Sequence, residues 1–201
     1  MSCATKTHKR IVILAGPSGA GKSTMTKMLK SEFPASITSS VSHTTRSKRD
    51  SEVDGTDYHF VTRETFLEMK RNDEFAEISE FSGNLYGTSW DALEVATAEE
   101  KVVVKDFCLE GVRQLKAMED LDAVYLYIKP PTVAVLESRL RGRATESEEQ
   151  LKRRLEIAKE ELVDPEVEGM FDHVVVNADK DEAYAEVRGI VKPLIDQLGD
   201  L

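Results

Sequence analysis

The feature that most constrains this chain is the stretch "GPSGAGKST" at residues 16–24, which follows the apolar run "IVILA". It matches the spacing G-x-x-x-x-G-K-[ST], with Gly16, Gly21, Lys22 and Ser23 at the fixed positions. The β-branched run before it predicts a buried strand, and apolar residues at helical spacing after it predict a helix. Backbone N–H groups at such a turn converge on one anion at a helix N-terminus. The stretch therefore predicts a site for nucleotide phosphates.

Two side chains of this phosphate-binding loop have separate expected tasks. Lys22 can reach the terminal phosphates, and the Ser23 hydroxyl can ligate Mg²⁺. The whole loop is expected to line the nucleotide, and its residues are Gly16, Pro17, Ser18, Gly19, Ala20, Gly21, Lys22, Ser23 and Thr24.

Length and charge limit the other functions open to the chain. Its 201 residues suit one sizeable domain with a small inserted lobe. A net charge of −10 argues against non-specific binding to nucleic acid or to a membrane surface. Cys3 and Cys108 have no motif spacing, which favours a reducing compartment without disulfides or a zinc site. "MSCATKTHKR" lacks the apolar segment of a signal peptide, so we expect a cytoplasmic protein.

The order of predicted elements indicates an α/β fold with a parallel, doubly wound sheet, since strands alternate with helices. Residues 37–50 predict a strand that runs into a basic loop, and residues 37–89 as a whole interrupt the alternation. We therefore expect a core of residues 1–36, 90–138 and 157–201, a lobe of residues 37–89, and a helical lid of residues 139–156.

Arginines lie in two groups where such a fold binds ligands. Arg46 and Arg49 share one loop, and Arg139, Arg143 and Arg154 surround a turn that contains glycine. The planar guanidinium fork suits phosphate because it donates two parallel hydrogen bonds to two oxygens. Their position beside a phosphate-binding loop in an acidic protein favours a binding role over solvated surface charge.

The motifs resemble guanylate kinase over about residues 10–198, nearly the whole chain. Those that carry the resemblance, in order, are "GPSGAGKST", "SVSHTTRSKR", "DGTDYHFV", "FAEISEFSGNLYGTS", "LEGV", "RGRATESEEQLKRRL" and "VVVNAD". The resemblance implies phosphoryl transfer from ATP to GMP, and to dGMP, giving ADP and the diphosphate. It also implies a P-loop kinase core, a GMP-binding lobe, an arginine-bearing lid, and ATP and Mg²⁺ as co-substrate and cofactor. We expect a monomer.

The resemblance also implies roles for individual residues. The GMP phosphate is expected on Arg46, Arg49, Tyr58 and Tyr86, and the guanine on Ser42, Glu77 and Thr88. The lid arginines correspond to Arg139, Arg143 and Arg154, and the asparagine beside the adenine corresponds to Asn177. Asp106 resembles an acidic residue that faces the metal and the substrate. The catalytic charges are then those of Lys22, Arg46, Arg139, Arg143 and Arg154.

The chain departs from the family pattern at two positions. The family commonly has a second aspartate where this chain has Cys108, and an apolar residue where it has Lys105. Loss of the carboxylate is expected to weaken the link between the basic loop and the central strand.

Two other functions stay open at this point. One is a guanylate-kinase-like binding module without activity, although the intact phosphate-binding loop argues against it. The other is a P-loop kinase with a different acceptor. An acceptor hydroxyl would need a general base, whereas a phosphate acceptor with a second pKa near 6 needs none.

Overall fold

The computed structural model shows a chain of nine strands and seven helices over the residues it describes. Those residues are 11–50, 52–81, 83–98, 100–117, 121–142, 148–163 and 169–198. In chain order the elements are β1 (Ile11–Ala15), α1 (Lys22–Glu32), β2 (Ile37–Thr38), β3 (His43–Thr44), β4 (His59–Phe60), α2 (Arg63–Arg71), β5 (Phe75–Phe81), β6 (Asn84–Ser89), α3 (Trp90–Ala98), β7 (Val102–Asp106), α4 (Leu109–Lys116), β8 (Ala123–Lys129), α5 (Val133–Arg141), α6 (Glu148–Val163), β9 (His173–Val176) and α7 (Lys180–Asp196).

The main sheet has five parallel strands in the order β2-β7-β1-β8-β9. Every residue of β1 is buried, because the strand is central and helices cover both faces. On one face α3 and α4 pack through residues such as Leu93 and Val112, and on the other α1 and α7 pack through residues such as Leu29 and Val187. The prediction of a parallel, doubly wound sheet is confirmed.

A second sheet is built from residues within 43–89, in the order β4-β3-β6-β5. Its pairs with β6 are antiparallel, while β3 and β4 run parallel. Helix α2 covers it through Phe66, whose ring stacks on that of Phe75 with centroids 4.4 Å apart. Helix α4 joins this sheet to the main one, since the Ile78 amide donates to the side-chain oxygen Oε1 of Gln114 at 3.2 Å.

Helices α5 and α6 form a third packed unit beside the phosphate-binding loop. Its buried contacts come from leucines on both helices and from Ala158. Within the residues described above, no helix is both long and apolar enough to cross a membrane.

Candidate active site

The phosphate-binding loop has a backbone that only glycine can adopt at three positions. Gly16, Gly19 and Gly21 have φ angles of 130°, 92° and 108°. A Cβ on Gly16 would lie 2.2 Å from the Ile128 carbonyl oxygen, so the loop touches the neighbouring strand. Gly21 is the N-cap of α1 and contributes no side chain, which directs the first helical amides toward an outside acceptor. This geometry is a phosphate cradle.

Lys22 folds over this loop. Its Nζ donates to the carbonyl oxygens of Gly16 at 2.7 Å and Pro17 at 3.2 Å. Burial raises the pKa of Glu161 in α6, and the charge of the nearby Lys22 ammonium offsets only part of that rise. Glu161 was not predicted, because nothing in its sequence position marks it as facing the loop.

Helix α6 also brings a predicted arginine to the loop. Arg154 Nη1 donates to Ser18 Oγ at 2.9 Å. A single pocket, here called the P-loop pocket, is lined by residues of the loop, by Asp106 at the end of β7 and Cys108 just after it, by Ser79 of β5, and by Arg154 and Glu161 of α6. Ser23 lines the same pocket. The structure thus brings Lys22, Ser23, Asp106 and Arg154 together.

Asn177 and Arg139 connect the phosphate-binding loop to the segment after β9 through hydrogen bonds. Asn177 follows β9 and is buried, and its Nδ2 donates to the Ala20 carbonyl oxygen at 2.7 Å. Arg139 Nη2 in turn donates to the Asn177 carbonyl oxygen at 2.9 Å. A Cβ on Gly21 would lie 2.3 Å from Asn177 Nδ2, so this contact also requires glycine. The third lid arginine, Arg143, lies outside the described residues.

The basic loop of the second sheet carries a paired arginine. Arg46 binds the Glu52 carboxylate through Nη1 at 3.0 Å and Nη2 at 2.7 Å. The amide of Arg49 donates to the same carboxylate at 2.8 Å, while the Arg49 side chain is exposed. Hydrogen bonding to Glu52 raises the pKa of Arg46 and keeps its guanidinium charged. Glu52 was not predicted as a site residue. Its position as an acidic residue next to a basic loop could have indicated the pairing with an arginine.

Aromatic rings surround that guanidinium. The Arg46 Cζ lies 5.6 Å from the centroids of both Tyr58 and Phe60, and the Tyr58 and Tyr86 rings meet edge to face with centroids 6.0 Å apart. Burial raises the pKa of the Tyr58 hydroxyl, and the Asp106 carboxylate raises it further. Asp106 therefore lies at the junction of the arginine cluster and the P-loop pocket.

Three buried polar residues form a hydrogen-bonded row at the base of the second sheet. Glu77 and Thr88 are cross-strand partners in β5 and β6, and Ser42 precedes β3. Ser42 Oγ lies 3.0 Å from Thr88 Oγ1, which donates to Glu77 Oε1 at 2.9 Å. Their exposed fractions are 8%, 0% and 5% for Ser42, Thr88 and Glu77. A buried row of this kind can recognise a polar ring edge.

Burial raises the pKa of Glu77 to about 7. The hydrogen bond from Thr88 and the charge of Lys105 act in the other direction, and Asp106 adds to the rise. Helix α4 packs directly on this carboxylate, since a Cβ on Gly111 would lie 3.2 Å from Glu77 Oε2. Near neutral pH the group is therefore poised between an acceptor-only carboxylate and a neutral acid.

The two departures from the family pattern lie beside this row. Cys108 caps α4, and its Sγ accepts from the Gly111 amide at 3.5 Å. Burial and the neighbouring Glu77 both raise the pKa of the Cys108 thiol. Lys105 Nζ donates to the Ser40 carbonyl oxygen at 2.9 Å, which links β7 to the segment that enters the second sheet.

A parallel sheet whose central strand ends in a phosphate cradle, with arginines and a second polar site facing it, defines a P-loop kinase. The family model for guanylate kinase matches residues 8–194. Human guanylate kinase is 47% identical over 179 residues, covering 89% of this chain and 90% of the relative. The guanylate kinase of Schizosaccharomyces pombe is 45% identical, covering 89% of this chain and 88% of the relative.

Solved structures agree with these sequence relatives. The crystal structure of guanylate kinase from Anaplasma phagocytophilum matches with a TM-score of 0.68 at 30% identity, covering 94% of this chain and 87% of that one. The chain therefore belongs to the guanylate kinase family, and its activity is the transfer of the γ-phosphoryl group of ATP to GMP.

Proposed function

We propose that the row Ser42–Thr88–Glu77 reads the guanine base, and that the arginine cluster and the P-loop pocket hold the two phosphate chains. The observation that carries this proposal is the burial of an ionisable carboxylate, Glu77, in a polar row with its own hydrogen-bond donor. A buried carboxylate is costly unless a ligand or a fixed partner compensates for it, so its presence favours a binding role.

The chemistry of guanine fits this row. Guanine presents two adjacent donors, N1–H and the exocyclic amine, which one carboxylate can accept together. The hydroxyls of Ser42 and Thr88 can turn to donate to the guanine O6. Adenine presents a bare acceptor at N1 and an amine in place of O6, so the same row would lose its hydrogen bonds. Such unpaired buried groups reject an analogue by factors on the order of 10⁴.

The GMP phosphate is assigned to Arg46, Arg49, Tyr58 and Tyr86. Arg46 is supported by its charged, ring-enclosed guanidinium, and its fork already binds two oxygens of one carboxylate, Glu52. A phosphate carries the same paired oxygens and more charge, so it is a stronger partner for the same fork. The exposed Arg49 side chain can turn toward it.

The triphosphate of ATP is assigned to the loop of residues 16–24, with Arg139, Arg143 and Arg154 around it, and the adenine is assigned to a place beside Asn177. The phosphate acceptor is already nucleophilic at neutral pH, so no general base is required. What the chain's residues supply is position and charge: Lys22 faces the terminal phosphates, and the arginines balance the charge that spreads over the transferred group.

The donor set beside the loop fits Mg²⁺. Ser23 and Asp106 offer a hydroxyl and a carboxylate oxygen to the same P-loop pocket, and hard oxygen ligands suit this ion. Among the residues that the structure describes, no group of three His, Cys, Asp or Glu side chains could hold a metal alone. That agrees with Mg²⁺ bound through few protein ligands and completed by phosphates and water. When bound, the ion would neutralise phosphate charge.

We also propose that residues 37–89 and 139–156 close over the core when both nucleotides bind. Two nucleotides bound from opposite sides must exclude water, or ATP would be hydrolysed. We expect the radius of gyration measured by X-ray scattering to fall when both nucleotides bind. Identical profiles with and without both ligands would contradict closure. The same scattering data test the proposed monomer through the molecular mass.

The proposal is tested by ADP release measured with GMP, dGMP, AMP, CMP and UMP as acceptors. The wild type should use GMP and dGMP far better than the rest. Glu77→Gln should lower kcat/KM for GMP and reduce the GMP-to-AMP preference, because its amide end would meet a guanine donor with another donor. The exposed Glu74→Gln is the matched control and should keep the preference. An unchanged preference in Glu77→Gln would show that guanine is read elsewhere.

A further inference from the structure

Lys105 is a charged residue that follows three buried valines in β7 and precedes its last residue, Asp106. The preceding residues of β7, Val102, Val103 and Val104, are fully buried in the cores on the two faces of the sheet. Lys105 itself is half-buried, and burial lowers the pKa of its ammonium. A lysine retained at such a position needs a polar partner, because desolvating the ammonium costs free energy.

One partner is the segment that joins the two sheets. Lys105 Nζ donates to the Ser40 carbonyl oxygen at 2.9 Å, and next to it Ser39 Oγ donates to the Val104 carbonyl oxygen at 2.6 Å. These two bonds fix the chain just before Ser42. Ser42 begins the hydrogen-bonded row that ends on Glu77. The position of the row is therefore coupled to β7 through Lys105.

Lys105 also acts electrostatically on the Glu77 carboxylate. Burial raises the pKa of Glu77, and the charge of Lys105 partly offsets that rise. Burial lowers the pKa of Lys105, and the charges of Asp106 and Glu77 partly offset that fall. The uncharged groups beside Glu77 include the Thr88 hydroxyl of β6 and the thiol of Cys108, the N-cap of α4, whose own pKa is raised partly by Glu77. Among the charges that act on Glu77, Asp106 opposes its ionisation and Lys105 favours it.

We propose that Lys105 is a positioning residue for the guanine site, which fixes the segment before Ser42 and supplies a positive charge that favours the accepting form of Glu77. This inference rests on the proposed reading of guanine by Glu77. Lys105 does not touch the base in this account. It acts through Glu77 and Ser40, so its removal should affect GMP and leave ATP binding intact.

The test uses Lys105→Met, which keeps the length of the side chain without charge, and Lys105→Gln, which keeps a donor for Ser40 without charge. Steady-state kinetics for GMP and ATP are measured from about pH 5.5 to pH 9. Lys101→Met, at the opposite end of β7, is the control. A nearby opposite charge shifts a carboxyl pKa by about one unit or more. The acid limb of kcat/KM for GMP should therefore move up by about one pH unit in both Lys105 variants.

At about pH 6.5 that shift corresponds to a roughly tenfold lower kcat/KM for GMP, carried by KM, with KM for ATP unchanged. The fall in kcat/KM for GMP should be larger for Lys105→Met than for Lys105→Gln, because Lys105→Met also loses the hydrogen bond to the Ser40 carbonyl oxygen. In a Glu77→Gln background, Lys105→Gln should cause no further loss for GMP, since the charge it removes has no carboxylate to act on.

The outcomes separate the two proposals. If Glu77→Gln leaves the GMP preference intact, the reading of guanine by Glu77 is wrong and this inference falls with it. If Glu77→Gln damages GMP use but both Lys105 variants keep the wild-type pH profile and KM, Lys105 has no positioning role. Equal losses for GMP and ATP, or a melting temperature that falls with no shift of the pH profile, would show a purely structural lysine.

Discussion

The phosphate-binding loop and the proposed GMP side of this molecule differ in which atoms form them: mainly backbone in the loop, and side chains on the GMP side. The P-loop binds through backbone: three glycines with positive φ, carbonyls that hold Lys22, and close contacts with β8 and Asn177. The proposed GMP side consists of side chains: Arg46, which is hydrogen-bonded to Glu52, and a row of buried polar groups that ends on Glu77. A backbone cradle recognises phosphate in any nucleotide, whereas a side-chain row can distinguish one base from another.

The difference predicts how each region fails. In the P-loop, damage comes from a lost charge at Lys22 or from any added Cβ, because the backbone has no room to adjust. On the proposed GMP side, damage should come mainly from changed charges and hydrogen-bond donors. Four predictions test this contrast, beginning with the largest expected effect.

Lys22→Ala should lower kcat by about 10³-fold or more, because it removes the only loop side chain that carries charge to the terminal phosphates. The fold should survive, since Lys22 contacts loop carbonyls and the P-loop pocket rather than the core. Circular dichroism measures whether the variant is folded, and timed assays of ADP release measure its kcat. Lys27→Ala on the exposed side of α1 is the control. A folded Lys22→Ala protein with near-full activity would overturn the catalytic role.

Gly16→Ala should destabilise the fold by about 3 kcal/mol, because the new Cβ would meet the Ile128 carbonyl oxygen at 2.2 Å and φ is 130°. Gly189→Ala in α7 offers a control of opposite sign. Nothing lies within 4 Å of a Cβ there, and alanine in a helix interior is favoured by about 0.5–1 kcal/mol. Urea unfolding gives both values, and a Gly16→Ala protein as stable as wild type would contradict the close contact.

Arg46→Met should lower kcat/KM for GMP by roughly 50-fold, about 2 kcal/mol, because one fork of charge-assisted hydrogen bonds is lost. KM for ATP should change little, as Arg46 belongs to the second sheet. Arg71→Met, at the exposed end of α2, is the matched control. An equal loss for both nucleotides would place Arg46 outside the GMP side.

Glu77→Gln should stabilise the free protein at about pH 8 by about 2 kcal/mol, the smallest of these effects. A folded pKa of about 7 lies above the ordinary glutamate value of 4.5, so the folded state holds the proton more strongly than the unfolded one. The wild type's free energy of unfolding therefore falls as pH rises from about 4.5 to about 7, and then levels off. Unfolding at several pH values should show this fall in the wild type and less of it in Glu77→Gln. Equal pH dependence in both proteins would contradict the shift.

The sequence predicted the phosphate-binding loop more completely than it predicted the proposed GMP side. The loop, its strand and its helix follow from glycine spacing and apolar periodicity, and the structure confirms β1, α1 and the parallel sheet. Residues 37–50 were expected to hold one strand, yet Ile37–Thr38 joins the main sheet and His43–Thr44 joins the second. Periodicity cannot show this change of sheet, because both pieces are only two residues long.

Sequence analysis also could not locate charges that meet only after folding. Glu52 lies six residues from Arg46, and its pairing depends on the turn between them. Lys105 and Glu77 lie in different sheets, so their interaction depends on how α4 and the joining segment bring the sheets together. Family resemblance proposed Ser42, Glu77 and Thr88, and the structure adds that they form one buried row. Their binding of guanine stays a prediction.

The most direct test of the account is the ionisation of Glu77 itself, followed by carbon-13 NMR of labelled glutamate side chains with and without GMP. We predict one carboxyl signal that titrates near pH 7, that is absent in Glu77→Gln, and that stays ionised to lower pH when GMP binds. By linkage, GMP affinity should then fall about tenfold per pH unit below that midpoint, apart from the ionisation of GMP itself. A Glu77 signal that titrates identically with and without GMP would contradict the claim that this carboxylate reads guanine.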